Sequence, residues 1–173
     1  MERIAQFQKV STGQFTASAA ELLGIGEEEA LRAYESICLP VRATSGSAGY
    51  DFYAPCTIEL APGQSVCVPT GIRARIDEGW VLMLYPRSGL GFKYSMRLCN
   101  TVGVIDSDYY RSDNEGHIIA KISNGSDDRT LRIEKGKGFI QGVFTAFGIT
   151  LDDGADGVRN GGFGSTTEQT RQK

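Results

Sequence analysis

Histidine is almost missing from this 173-residue chain, where His117 stands alone. A multi-histidine metal site and a Ser/His/Asp triad are nearly ruled out, so any bound metal is expected to be a hard, oxygen-liganded cation. The four cysteines, Cys38, Cys56, Cys67 and Cys99, form no CxxC or CxxxC pair. That spacing is poor for zinc and unlike a disulfide framework; it reads as reduced thiols in a cytoplasmic protein. No apolar run is long enough to span a bilayer, and the opening residues MERIAQFQKV lack the apolar core of a secretory signal. An excess of positive charge is missing too. Eighteen Lys and Arg face 21 Asp and Glu, a net charge of -3, which argues against a protein that coats nucleic acid. One nucleotide in a local basic site is still allowed.

Glycine is what the chain has in plenty: 22 residues, with few proline-rich or serine-rich runs around them. They point to many tight turns, hence to a mainly β domain, and the length suits one domain with a real core. Residues 1–38 differ from the rest. Segments 16–23 and 27–37 carry helix formers, with Leu31, Tyr34 and Ile37 at helical spacing and Gly24 and Gly26 as a break. This is expected to be a helical arm packed on the domain or on a neighbouring subunit. Over 39–151 short extended runs alternate with turn residues; in 72–76, Ile72, Ala74 and Ile76 oppose Arg73 and Arg75. Strands spaced in this way, without helices between them, indicate a sandwich, jelly roll or barrel. The tail, 152–173, is acidic, then glycine-rich, then polar, and is expected to be mobile until a ligand orders it.

Five stretches have the makings of a site. Residues 100–111, NTVGVIDSDYYR, place an amide, a bare backbone, two acids, an aromatic and a base together. Gly103 within a β-branched run marks a bulge or a close backbone approach. If the strand runs through Asp108, Asp106 and Asp108 share a face; the plainer alternative is a strand ending in an Asx-type turn. In SAGYDFYA, Asp51 is either a structural hydrogen-bond partner for an arginine or backbone, or an orienter of water around magnesium. In YPRSGLG, Arg87, Ser88 and Gly89 occupy a turn able to hold an anion, or simply end a strand. EKGKGFIQG is a basic turn feeding a strand with Gln141. VRNGGFGSTT sets Phe163 among three glycines, with Arg159 before it and Ser165 and Thr166 after, and suits a phosphate-binding flap with a stacking ring.

In order and spacing, SAGYD, PRSGLG, NTVGVIDSDY, GKGFIQG and RNGGFGST resemble the five motifs of the homotrimeric dUTP pyrophosphatases, over residues 39–167. The resemblance implies a distorted jelly-roll-like β-barrel, a threefold trimer with shared active sites, and magnesium-dependent hydrolysis of dUTP to dUMP and pyrophosphate. It assigns Asp106 to the attacking water, Asn100 and the backbone of Val104 and Ile105 to the uracil edge, and Tyr109 to the deoxyribose. Arg87, Ser88, Gly89 and Gln141 would hold the phosphates and Asp51 would support the Mg²⁺ site. Arg159, Phe163, Ser165 and Thr166 would close over the nucleotide from another subunit. Two departures stand out: Gly138 replaces the family's usual arginine, with Lys137 beside it, and Thr167-Glu168 follow the last motif. Two rival readings remain at this level. One is a dCTP deaminase, whose acid/base glutamate has Glu115 as its sole nearby candidate. The other is a non-catalytic nucleotide-sensing trimer that engages a regulatory protein through the arm and the 111–115 insertion.

Overall fold

The computed structural model describes residues 2–157. The elements run β1 (Ala5–Lys9), α1 (Thr12–Leu23), α2 (Glu27–Glu35), β2 (Val41–Arg42), β3 (Tyr50–Tyr53), β4 (Ile58–Leu60), β5 (Ser65–Pro69) and β6 (Ile72–Ile76). They continue with β7 (Trp80–Pro86), α3 (Ser88–Tyr94), β8 (Arg97–Leu98), β9 (Gly103–Ile105), a 3-10 turn (Ser107–Arg111), β10 (Ile119–Ser123), β11 (Leu131–Ile133) and β12 (Gly138–Ala146). The strands form four short antiparallel sheets: β1-β6, β5-β10-β8, β11-β4, and the five-stranded β2-β3-β12-β7-β9. They wrap one core in a jelly-roll-like arrangement rather than joining into one continuous barrel. Phe52, Ile72, Leu82, Leu84, Ile118, Ile122, Leu131, Phe139 and Ile140 fill that core.

Alternation explains β6 directly, since Ile72, Ala74 and Ile76 are buried while Arg73 and Arg75 turn outward. The arm packs on the domain over a second core of Val10, Phe15, Ala19, Ala30 and Ala33. Ser11 caps α1 by accepting from the Gln14 amide at 3.1 Å, and Gly24 ends it in the left-handed region at φ 66°.

The structure corrects several expected bounds. The arm begins with a strand: β1 pairs with β6, and Phe7 packs against Tyr50, Phe52 and Phe144 at centroid distances of 5.3, 5.5 and 5.7 Å. With one large apolar residue in AQFQK, its period-2 signal is too weak to read from sequence. Of the residues that open the extended region, only Val41–Arg42 form a strand, β2. The strand leading into residues 100–111 is broken into β8 and β9 by a turn containing Asn100. Because β9 stops at Ile105 and a 3-10 turn begins at Ser107, strand alternation does not place Asp106 and Asp108 on one face. Arg87–Gly89 is a helix start rather than a bare turn, since α3 begins at Ser88.

Candidate active site

The five-stranded sheet carries two groups of candidate residues, one where β7 runs on past its pairing with β9, the other along β9 and the turns that flank it. Asp51, Gln141 and Tyr85 lie in one cross-strand row over β3, β12 and β7. Arg87 leaves the end of β7 beside them, its Nε 3.3 Å from the Asp51 carboxylate. The Arg87 amide donates to the Phe139 carbonyl at 3.2 Å and its Nη1 to the Gly138 carbonyl at 3.4 Å. Gln141 Nε2 donates to the Pro86 carbonyl at 3.4 Å. With Ser88 and Gly89 these groups line a cavity of about 520 Å³. The first-turn amides of a helix have no intrahelical acceptor, so those of Ser88 and Gly89 add donors to the guanidinium. The result is an open cavity wall suited to oxyanions. A hollow of about 550 Å³ between the arm and β4 is slightly larger, but it is lined by side chains such as Leu22, Ile25 and Cys56 and lies away from this chemistry.

Two glycines shape this patch. A Cβ on Gly49 would fall 2.6 Å from Gln141 Oε1, so the bare backbone of SAGYD makes room for that amide. A Cβ on Gly138 would meet Arg87 Nη1 at 2.5 Å. The space beside residue 138 is filled by the Arg87 guanidinium.

The second patch is built on β9, where Gly103 faces Leu84, Val104 faces Met83 and Ile105 faces Leu82. A Cβ on Gly103 would lie 3.0 Å from Leu84 Cβ, the close approach its sequence context suggested. Val104 is 54% exposed. Asp106, half-buried, stands at the N-cap position of the 3-10 turn, and Asn100 is exposed in the preceding turn. Tyr109 is only 6% exposed. Its hydroxyl donates to the His117 carbonyl at 2.9 Å and accepts from Asn114 Nδ2 at 2.8 Å. Asp106 and Arg87 are not brought together in one chain. The five residues from Leu82, opposite Ile105, to Arg87 span about 16 Å of extended chain.

Sequence reasoning missed what surrounds Tyr109. Glu115 accepts from the Ser11 amide at 2.7 Å and from its hydroxyl at 2.6 Å, bonds that hold its carboxyl below the usual carboxylate range. The carboxylate offered as a deaminase acid/base is thus engaged by the arm. His117 is fully buried; burial lowers its pKa to about 4, against a smaller upward pull from Glu115. These partners lie about a hundred residues apart, and no local pattern announces them. Arg159, Phe163, Ser165 and Thr166 lie outside the described residues. Among the described residues no three His, Cys, Asp or Glu side chains form a metal-binding group, and no helix is long and apolar enough to cross a membrane.

The dUTPase family model matches residues 35–167. This chain belongs to the dUTPase family. The deoxyuridine 5'-triphosphate nucleotidohydrolase of Lactococcus lactis is 44% identical over 135 residues, covering 75% of this chain and 88% of the relative. That of Escherichia coli K12 is 39% identical over 139 residues, covering 76% and 88%. Among solved structures, the Streptococcus mutans dUTPase superposes with a TM-score of 0.62 at 36% identity, covering 86% of this chain and 98% of its own. A mutant dUTPase from S. aureus phage phi11, described with a coordinated structural Mg(II) ion, has a TM-score of 0.63 at 19% identity and covers 90% of this chain and 98% of its own, a likeness of fold alone.

Proposed function

We propose that this dUTPase-family chain hydrolyses dUTP to dUMP and pyrophosphate, limiting uracil incorporation into DNA and supplying dUMP. The observation that carries the reading is the matched span: residues 35–167 contain every residue to which the resemblance assigns a role. Asp106 accepts a hydrogen bond from water and directs its oxygen at the α-phosphorus. The new P–O bond forms as the bond to the bridging oxygen breaks, and pyrophosphate leaves. Asn100 and the backbone of Val104 and Ile105 read the uracil edge, and the exposed part of Tyr109 meets the deoxyribose. Arg87, the Ser88 and Gly89 amides and Gln141 offset phosphate charge. Arg159, Phe163, Ser165 and Thr166 close over the nucleotide from another subunit.

The donor set fits magnesium held through water. Asp51 is one part-exposed carboxylate on the cavity wall, already beside Arg87, which suits an ion that keeps its waters and binds chiefly to phosphate oxygens. When bound, Mg²⁺ neutralises charge on the triphosphate. The separation of Arg87 from Asp106 along β7 supports a homotrimer in which different subunits supply the two patches. The setting is cytoplasmic.

Pyrophosphate release from dUTP with Mg²⁺, measured beside dCTP, dTTP and UTP, tests the reading. Release from dUTP alone is expected, and Asp106→Asn should slow it on the order of 10²–10⁴-fold. Ammonia release from dCTP would move the chain to the deaminases, while dUTP binding without turnover would leave a nucleotide sensor.

A further inference from the structure

The N-terminal arm and the loop beyond Tyr109 are joined at two points. Ser11, which caps α1, gives its amide and hydroxyl to the Glu115 carboxylate. One α1 turn pair further on, Ser18 meets buried His117 Nδ1 at 3.3 Å. The tautomer follows from the other ring nitrogen: Nε2 accepts from the Gly71 amide at 2.9 Å, so the proton sits on Nδ1 and is donated to Ser18. Between these anchors the loop is tightly shaped. Glu115 is a non-glycine residue at φ 60°, a backbone state that persists where surrounding contacts hold it. At Gly116 a Cβ would lie 2.7 Å from Tyr110 Cα and 2.8 Å from the Tyr109 carbonyl oxygen. The same loop supplies two partners of the Tyr109 hydroxyl, Asn114 and the His117 carbonyl.

We propose that the arm is a positioning element for the sugar subsite: Ser11 and Ser18 hold Glu115 and His117, and through Asn114 and His117 they fix the Tyr109 ring. The arm thereby sharpens discrimination between deoxyribose and ribose. This rests on the assignment of Tyr109 to the sugar. A tyrosine held at its hydroxyl keeps its ring at a fixed depth, and a 2'-hydroxyl is excluded only by a surface that does not yield. Glu115 and Ser11 are positioning residues, acting on the nucleotide through Tyr109 alone.

The test uses the full chain labelled with 3-fluorotyrosine, with the Tyr109 ¹⁹F resonance assigned by its loss in Tyr109→Phe. Glu115→Ala is expected to shift or broaden that resonance and to lower the ratio of kcat/KM for dUTP over UTP by roughly 5- to 20-fold. Ser11→Ala, which keeps the amide donor, should do the same to a smaller degree, and Glu115→Gln should restore most of the loss. Added to Tyr109→Phe, Glu115→Ala should lower the ratio no further, because the hydroxyl that transmits the coupling is gone. A folded Glu115→Ala protein with an unmoved Tyr109 resonance would overturn the coupling whatever the ratio does. A moved resonance with an unchanged ratio would overturn the claim on discrimination. If Tyr109→Ala itself leaves the ratio unchanged, the sugar assignment is at fault and the discrimination claim falls with it; the resonance still decides the coupling.

Discussion

Arg87 shows how a bare backbone position makes room for a neighbouring side chain. It sits between the Asp51 carboxylate and the Gly138 carbonyl, over a position with no Cβ. Gly138→Ala should push the guanidinium off that seat, raising KM for dUTP several-fold more than it lowers kcat, while Arg87→Ala should weaken dUTP binding by about 1.5–3 kcal/mol in calorimetry. Two different guanidinium nitrogens are engaged, one by Asp51 and one by Gly138, so Arg87→Lys should recover only part of the loss. At this scale the sequence was informative about chemistry and poor about neighbours. Asp51, Arg87 and Gln141 could be picked out singly, but their meeting depends on the register of β3, β12 and β7, which no short window encodes. The opposite holds for Gly103, whose β-branched surroundings pointed to a bulge or a close approach, and the Leu84 side chain makes the second.

Among the elements, the arm differs most from its reading. Its helices were visible because segments 16–23 and 27–37 carry helix formers, with Leu31, Tyr34 and Ile37 at helical spacing and glycine between the two; β1 was not, because Phe7 is its sole large apolar side chain. Phe15 is fully buried and packs near Tyr34 and His117 at centroid distances of 5.8 and 6.2 Å. Phe15→Ala should cost about 3–5 kcal/mol, read as a lower denaturation midpoint in urea. Hydrogen exchange should show α1 and α2 opening before the five-stranded sheet in that variant. The 3-10 turn after β9 was hidden for a different reason. VIDSD reads as strand alternation or as a strand ending in a turn, and the 3-10 turn that forms carries Tyr109, whose hydroxyl donates to the His117 carbonyl.

For the whole molecule, the buried histidine sets an acid limit. An unfolded His117 takes up a proton near its ordinary value of 6.5, whereas the folded ring does so only at about 4. The unfolded state therefore binds more protons between those values, and stability should fall as pH drops from about 6.5 to 4, by about 3 kcal/mol in all. Glu115 acts lower: its depressed pKa means that its Ser11 contact is stabilising above the usual carboxylate value and is lost as acid protonates it. His117→Asn should flatten the upper part of the profile in urea titrations made at each pH. The second prediction at this scale concerns assembly. At sub-saturating dUTP, Asp106→Asn and Arg87→Ala chains, each strongly impaired apart, should regain about a quarter of wild-type activity when co-assembled in equal amounts, as the proposed homotrimer with shared sites requires. No recovery would place both patches in one chain's site.

The length of β7 has a consequence for timing in a living cell. If reacting groups stand at opposite ends of one strand, a newly made chain is silent until it finds its copies. Catalysis would then rise more steeply than linearly with the number of chains, with a lag at low expression and a sharp onset after it. Dilution of the purified protein should reproduce that curve in reverse, with specific activity falling at the concentration where the copies part.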